Sequence, residues 1–125
     1  MKRPSISERH PRKLALAGLL LVVCSGAHAQ CAPASTKVDK FRVEQKGTLV
    51  TSILGVIVNG CSVPAGVQLK VIFYDKQGGL LRVEDMWPAS TSNIPANSDF
   101  PFQVSLERVE GFDKVEVRVI RTKTW

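Results

Sequence analysis

The sequence predicts an all-β domain, a small antiparallel β-sandwich of about seven strands. Three observations predict it. Segments of alternating apolar and polar residues follow one another at intervals of about a dozen residues. They are rich in Val and Ile and are separated by turns carrying Gly, Asn, Asp and Pro. No stretch after residue 29 has the 3.6-residue apolar periodicity of an amphipathic helix.

Residues 1–29 have a different character. Met1 to Lys13 carries Lys2, Arg3, Arg9, Arg12 and Lys13 against Glu8 alone. Leu14 to Val23 is uncharged and apolar, and Ala27-His28-Ala29 follows. A positive head, a short apolar run and an A-x-A site read as a cleaved secretory signal peptide. The apolar run is shorter than the roughly 20 residues that span a bilayer. No adjacent arginine pair precedes it, so the general secretion route is expected, with a periplasmic or secreted destination.

Removing residues 1–29 takes five basic residues and one acidic residue from the chain's 17 and 11, leaving 12 and 10 and a net charge of +2. The high pI therefore belongs mostly to the signal, and a nucleic-acid partner is not expected. Both histidines, His10 and His28, leave with it. The remainder is a 30–36 leader and a 37–125 domain with one modest core. Of the three cysteines, Cys31 and Cys61 remain, and an even pair in an exported chain reads as a disulfide. Two free thiols are the alternative, as is a lipid on Cys31. Gln30 and His28 stand where a lipoprotein signal has a small residue and a Leu.

The elements follow in order. Lys37 to Lys46 alternates Phe41 and Val43 with Arg42 and Glu44, as a half-buried strand does. Leu49 to Gly60 is apolar on both faces, which predicts a central strand covered on both sides for part of its length. Gly55 within it predicts a bulge or a close backbone approach, and Asn59-Gly60 a turn. Gly66 to Asp75 turns Val67, Leu69, Val71 and Phe73 one way, and Gln68, Lys70, Ile72 and Tyr74 the other. Asp75 to Gly79 is a hairpin loop, with Asp75 the turn-initiating acceptor and Gly78 supplying positive φ. Leu80 to Trp87 resumes as a strand. Pro88 to Asp99 is polar and Pro-bearing, the link expected to carry the chain between sheets. Phe100 to Glu107 alternates, Glu110 to Asp113 turns, and Val115 to Ile120 closes the domain.

The run Gly55-Val56-Ile57-Val58-Asn59, then Val71-Ile72-Phe73-Tyr74-Asp75, Gly78, Pro95 and Phe100 or Phe102, resembles the FxLYD domain family. That family comprises immunoglobulin-like sandwich domains of exported prokaryotic proteins. The resemblance covers about Thr51 to Val119. Val71 stands where the family has Phe, Phe73 where it has Leu, and Asn97 where a Gly is usual. It implies an immunoglobulin-like fold, gives Gly55, Asn59, Val71, Phe73, Tyr74, Asp75 and Gly78 structural roles, and implies no catalytic residues.

Chemistry is hard to place. Without histidine after residue 29, Ser-His-Asp and Cys-His arrangements are impossible, and the commonest zinc ligand is missing. Cys31 and Cys61 form no Cys-x-x-Cys, and no phosphate-cradling or calcium loop occurs. Glu84 and Asp85 fall on opposite strand faces. Glu107, Glu110, Asp113 and Glu116 are interleaved with Arg108 and Lys114, as on a solvated edge. No enzyme, metal or cofactor is expected. The aromatics lead further. Trp87 closes a strand, where core packing is its ordinary role, and Trp125 follows a Lys/Arg-flanked strand, as interface residues do. The expected function is a non-catalytic binding or accessory module contacting another cell-envelope protein, through strand addition at an edge or through a small hydrophobic patch. The alternatives are a glycan- or peptidoglycan-binding module, which requires Trp87 and Tyr74 on one face with polar neighbours, and a surface-tethered lipoprotein.

Overall fold

In the computed structural model, Gln30 to Trp125 are described, and the expected signal peptide, residues 1–29, lies outside them. The alternating segments form six strands: β1 (Thr36–Lys46), β2 (Val50–Asn59), β3 (Gly66–Tyr74), β4 (Leu80–Met86), β5 (Ser98–Glu107) and β6 (Lys114–Lys123). A single 3-10 turn, Pro33–Ser35, precedes them. All pairings are antiparallel. One sheet runs β1-β2-β5 and the other β4-β3-β6. The count is six rather than about seven, because each apolar segment makes one strand. β5 begins two residues earlier than its alternation suggests, and β6 begins one residue earlier and ends three later.

The chain changes sheet three times, after β2, after β4 and after β5. The Pro88 to Asp99 link does cross between sheets. The other two crossings run through Gly60 to Ala65 and Arg108 to Asp113, short stretches whose composition marks only a turn.

Period-2 alternation decides which side chains enter. Ile53 and Ile57 of β2, Val67, Leu69, Val71 and Phe73 of β3, and Phe102 of β5 are buried between the sheets. Ile94 and Val109 join them from the crossing loops. Phe73 meets the Phe112 ring edge-on at 5.4 Å. Gly55 explains itself here. It lies opposite both Phe41 and Phe102 in the ladder. A Cβ there would press on the Lys40 carbonyl and come within 2.9 Å of the Phe102 ring. The expected close approach is what the structure shows.

Two expectations change. Phe41 is 39% exposed rather than half-buried in the core: it keeps the register and face of Val43, opposite Gly55, but β1 is an edge strand with no neighbour on its outer side. β2 is central in its sheet, but only its inner face is buried by a second layer. Leu54, Val56 and Val58 on its outer face stay half-buried.

One end of the sandwich is closed by the Cys31–Cys61 disulfide, Cα atoms 5.5 Å apart, both residues buried. Beside it, the fully buried Asn59 donates from Nδ2 to the carbonyls of Val63 (3.1 Å), Ile94 (3.0 Å) and Pro95 (3.2 Å), and accepts the Cys61 amide at 2.9 Å. The opposite end is tied by Thr51, which donates to Gln45 at 2.6 Å and accepts the Val109 amide at 2.9 Å, while Gln45 donates to the Val109 carbonyl.

Replacing Asn59 by Ala would leave a buried amide and two buried carbonyls without their partner, and Ile94 with only one. A loss of about 2–4 kcal/mol of unfolding free energy is expected in chemical denaturation. Asp75→Ala, at a turn where water can replace the acceptor, should cost less. Reducing the disulfide removes a 30-residue constraint and should lower stability by about 3–4 kcal/mol.

Candidate functional site

The outer face of the β4-β3-β6 sheet collects the side chains that the core rejects. β3 contributes Gln68, Lys70, Ile72 and Tyr74, with Gly66 at its start. Ladder partners share a face. Opposite these residues stand Asp85, Val83 and Leu80 of β4, and Arg121, Arg118, Glu116 and Lys114 of β6. Lys70 pairs with Asp85 at 3.3 Å and Arg118 with Glu116 at 3.7 Å. With Lys123, opposite Gly66, the face carries five cations against two acids.

Its two ends differ. At the Tyr74 end, Leu80, Leu81 and Val83 are 64%, 43% and 40% exposed and lie beside the buried Ile72. Leu81 is the extra residue of a register shift opposite Phe73 and Tyr74. Tyr74 donates its hydroxyl to Glu116 at 3.2 Å, and Lys114 lies 5.8 Å from its ring. At the other end, Trp87 and Trp125 meet edge-to-face at 5.4 Å, with the Lys123 ammonium 3.9 Å from the centre of the Trp125 ring. The Trp125 indole lies against Gly66, where a Cβ would come within 2.8 Å of Cδ1. Eight residues of β3 separate the ends, roughly 26 Å.

The residues singled out in the sequence divide between architecture and this face. Gly55, Asn59, Val71 and Phe73 are interior. Asp75 caps its hairpin, accepting the Gln77 and Gly79 amides at 2.9 and 2.7 Å, and Gly78 takes φ +80°. Glu84 points inward to Arg82 at 2.7 Å, and Asp85 outward to Lys70. Trp87 is half-buried on Trp125, outside the main core. Tyr74, Trp87 and Trp125 share the outer face. Sequence reasoning passed over Gln68, Arg118, Arg121 and Lys123. Alternation in β3 and β6 was the signal that could have gathered them, once the two strands were known to be neighbours. Asn93, which holds the Trp125 backbone, lies 32 residues away and gave no signal.

Among the described residues no group of three or more His, Cys, Asp or Glu could hold a metal ion. The face offers ring faces, fixed cations and amides, groups that bind and orient. Partial burial, then the hydrogen bond to Glu116 and its negative charge, hold the Tyr74 phenol above the ordinary tyrosine value of 10.0. This proton is held more tightly in the folded chain. Its contribution to stability is present below the unfolded tyrosine value and is lost as pH rises through the folded one. Tyr74 is the chain's one tyrosine, so phenolate absorbance reads it alone. The titration midpoint should lie above that of the unfolded chain and fall in Glu116→Gln.

No family model matches the chain, and no curated protein does. It is similar to the crystal structure of a DUF1425 family member from Shewanella sp. pv-4, with 13% identity over 69% of this chain and 77% of that one, at a TM-score of 0.49. The all-β assignment stands on the six strands themselves.

Proposed function

We propose that this chain is a non-catalytic binding module of the cell envelope that docks on another envelope protein through the outer face of the β4-β3-β6 sheet. The carrying observation is the apolar patch at the Tyr74 end. Three of the chain's exposed large hydrophobic residues, Leu80, Leu81 and Val83, sit together on β4. Charged pairs, Lys70–Asp85 and Arg118–Glu116, border them. An apolar centre with a polar rim is the anatomy of a protein interface. The cationic excess of the face suits a partner with an acidic border.

Strand addition is less well supported than this patch. Each edge strand carries a feature that blunts it. β1 has a register shift and three lysines, and β5 carries Pro101. β4 turns Arg82 and Glu84 inward, where Arg82 also reaches Glu107 at 3.7 Å. β6 has its own shift opposite Gln68 and Leu69.

Export is supported by the buried disulfide, which belongs to oxidising compartments. No helix among the described residues is long and apolar enough to cross a membrane. The Cys31 sulfur is bonded to Cys61, so a thioether-linked lipid there and this structure exclude each other.

In-cell cross-linking of the tagged full chain should capture one dominant envelope protein. Leu81→Asp or Val83→Asp should reduce that capture about tenfold, as loss of an interface hot spot does. Equal capture by the wild type and both variants would place the contact elsewhere.

A further inference from the structure

We propose that Trp125, with Trp87, Gln68, Arg121 and Lys123 around it, forms a subsite for a carboxylate-bearing glycan. It lies at the opposite end of the face from the apolar patch and does not depend on protein docking there.

The first observation is how firmly an exposed ring is held. Trp125 follows the last strand, yet its amide donates to Asn93 Oδ1 at 2.9 Å and its main-chain oxygen accepts from Asn93 Nδ2 at 3.2 Å. Trp87 packs against the ring edge-to-face, Lys123 lies over it, and Gly66 has no side chain where it rests. The indole is still 44% exposed. Ordering a large side chain costs conformational entropy, and burial recovers little for a ring left half in water. A ring fixed this way is a preformed platform.

The second observation is the surroundings. Neither indole lines the hollow beside Gln30–Pro33, which Arg121 and Lys123 flank, or the one over Gly55. A peptide anchor needs a pocket to fill. A sugar ring needs only a flat aromatic surface for its C–H face and polar groups at its rim. Gln68 supplies an amide there, directly across the ladder from Arg121.

The third is charge. Arg42, Lys70, Arg82 and Arg108 each pair with an acid. Arg121 and Lys123 have no acidic partner among the described residues; other lysines share that, but these two stand at this end of the face, Lys123 over the Trp125 ring and Arg121 across from Gln68. A guanidinium fork matches a carboxylate. The Lys123 ammonium, resting on the ring, is placed to turn to the same carboxylate.

Affinity electrophoresis of the full chain tests this, with polygalacturonate in the gel and hydroxyethyl cellulose as the neutral polymer. Retardation by polygalacturonate alone is expected. Trp125→Ala and Arg121→Ala should each weaken it about tenfold, the size of one well-placed contact. Trp125→Tyr, which keeps a flat ring, should retain most of it and guards against a folding defect. Lys123→Ala should weaken polygalacturonate binding and uncover the ring for the neutral polymer. Leu81→Asp should bind polygalacturonate like the wild type, which separates this site from the protein-docking patch. Absence of retardation overturns the proposal. So does loss in the cation variants with none in Trp125→Ala, which would mean plain polyelectrolyte attraction. Equal binding of polyglutamate would reassign the site to acidic peptides.

Discussion

The fold depends on one buried amide. Asn59 ends β2 at the point where the chain leaves one sheet for the other. Its two amide hydrogens are shared among the carbonyls of Val63, Ile94 and Pro95, and its oxygen takes the Cys61 amide. These groups belong to two separate crossing loops. Such loops run where neither sheet can satisfy their backbone, and an unpaired buried carbonyl is costly. Asn59 supplies the missing partners. The loops also bond to each other, Ala65 with Ile94 in both directions and Asn97 to the Cys61 carbonyl. Ile94 can then point into the core, and the disulfide pins the N-terminal segment to the same corner.

With that corner set, the sandwich shows the outside world faces rather than edges. Inward charges, register shifts and a proline blunt the four edge strands. The interior accepts one side of β3 so completely that Val67, Leu69, Val71 and Phe73 are almost wholly buried. The other side of the same strand forms the outer face, where Gly66 and Ile72 are covered by their neighbours. It carries Gln68, Lys70, Ile72 and Tyr74. The neighbouring strands add cations on one flank and exposed aliphatics on the other. The face is therefore graded, apolar toward the β3-β4 hairpin and aromatic with positive charge toward the end of β6. That gradation suits the two contacts proposed above.

Much of this architecture was legible. The alternation located all six strands. Asp75 and Gly78 announced their hairpin, and Gly55 announced a close approach. Phe41 failed because alternation gives a residue's face and not what covers it: it shares the face of Val43, but it lies on an edge strand and is still 39% exposed. The outer stripe of β2 failed differently. Leu54, Val56 and Val58 resemble buried residues in composition, and only a second layer, missing there among the described residues, could have buried them.

The sequence by itself determined the local facts: where strands begin and turn, which residues alternate, that two cysteines were available to pair, and that histidine-based catalysis has no residues after position 29. Only the tertiary structure decided which strands are neighbours. That choice rests on contacts between residues far apart in the chain, such as Asn59 with Ile94 or Trp125 with Asn93 and Gly66. Local periodicity carries no record of them. The candidate surface exists because β6 pairs with β3. Pairing sets Arg121 beside Gln68 and brings two tryptophans, 38 positions apart, into contact.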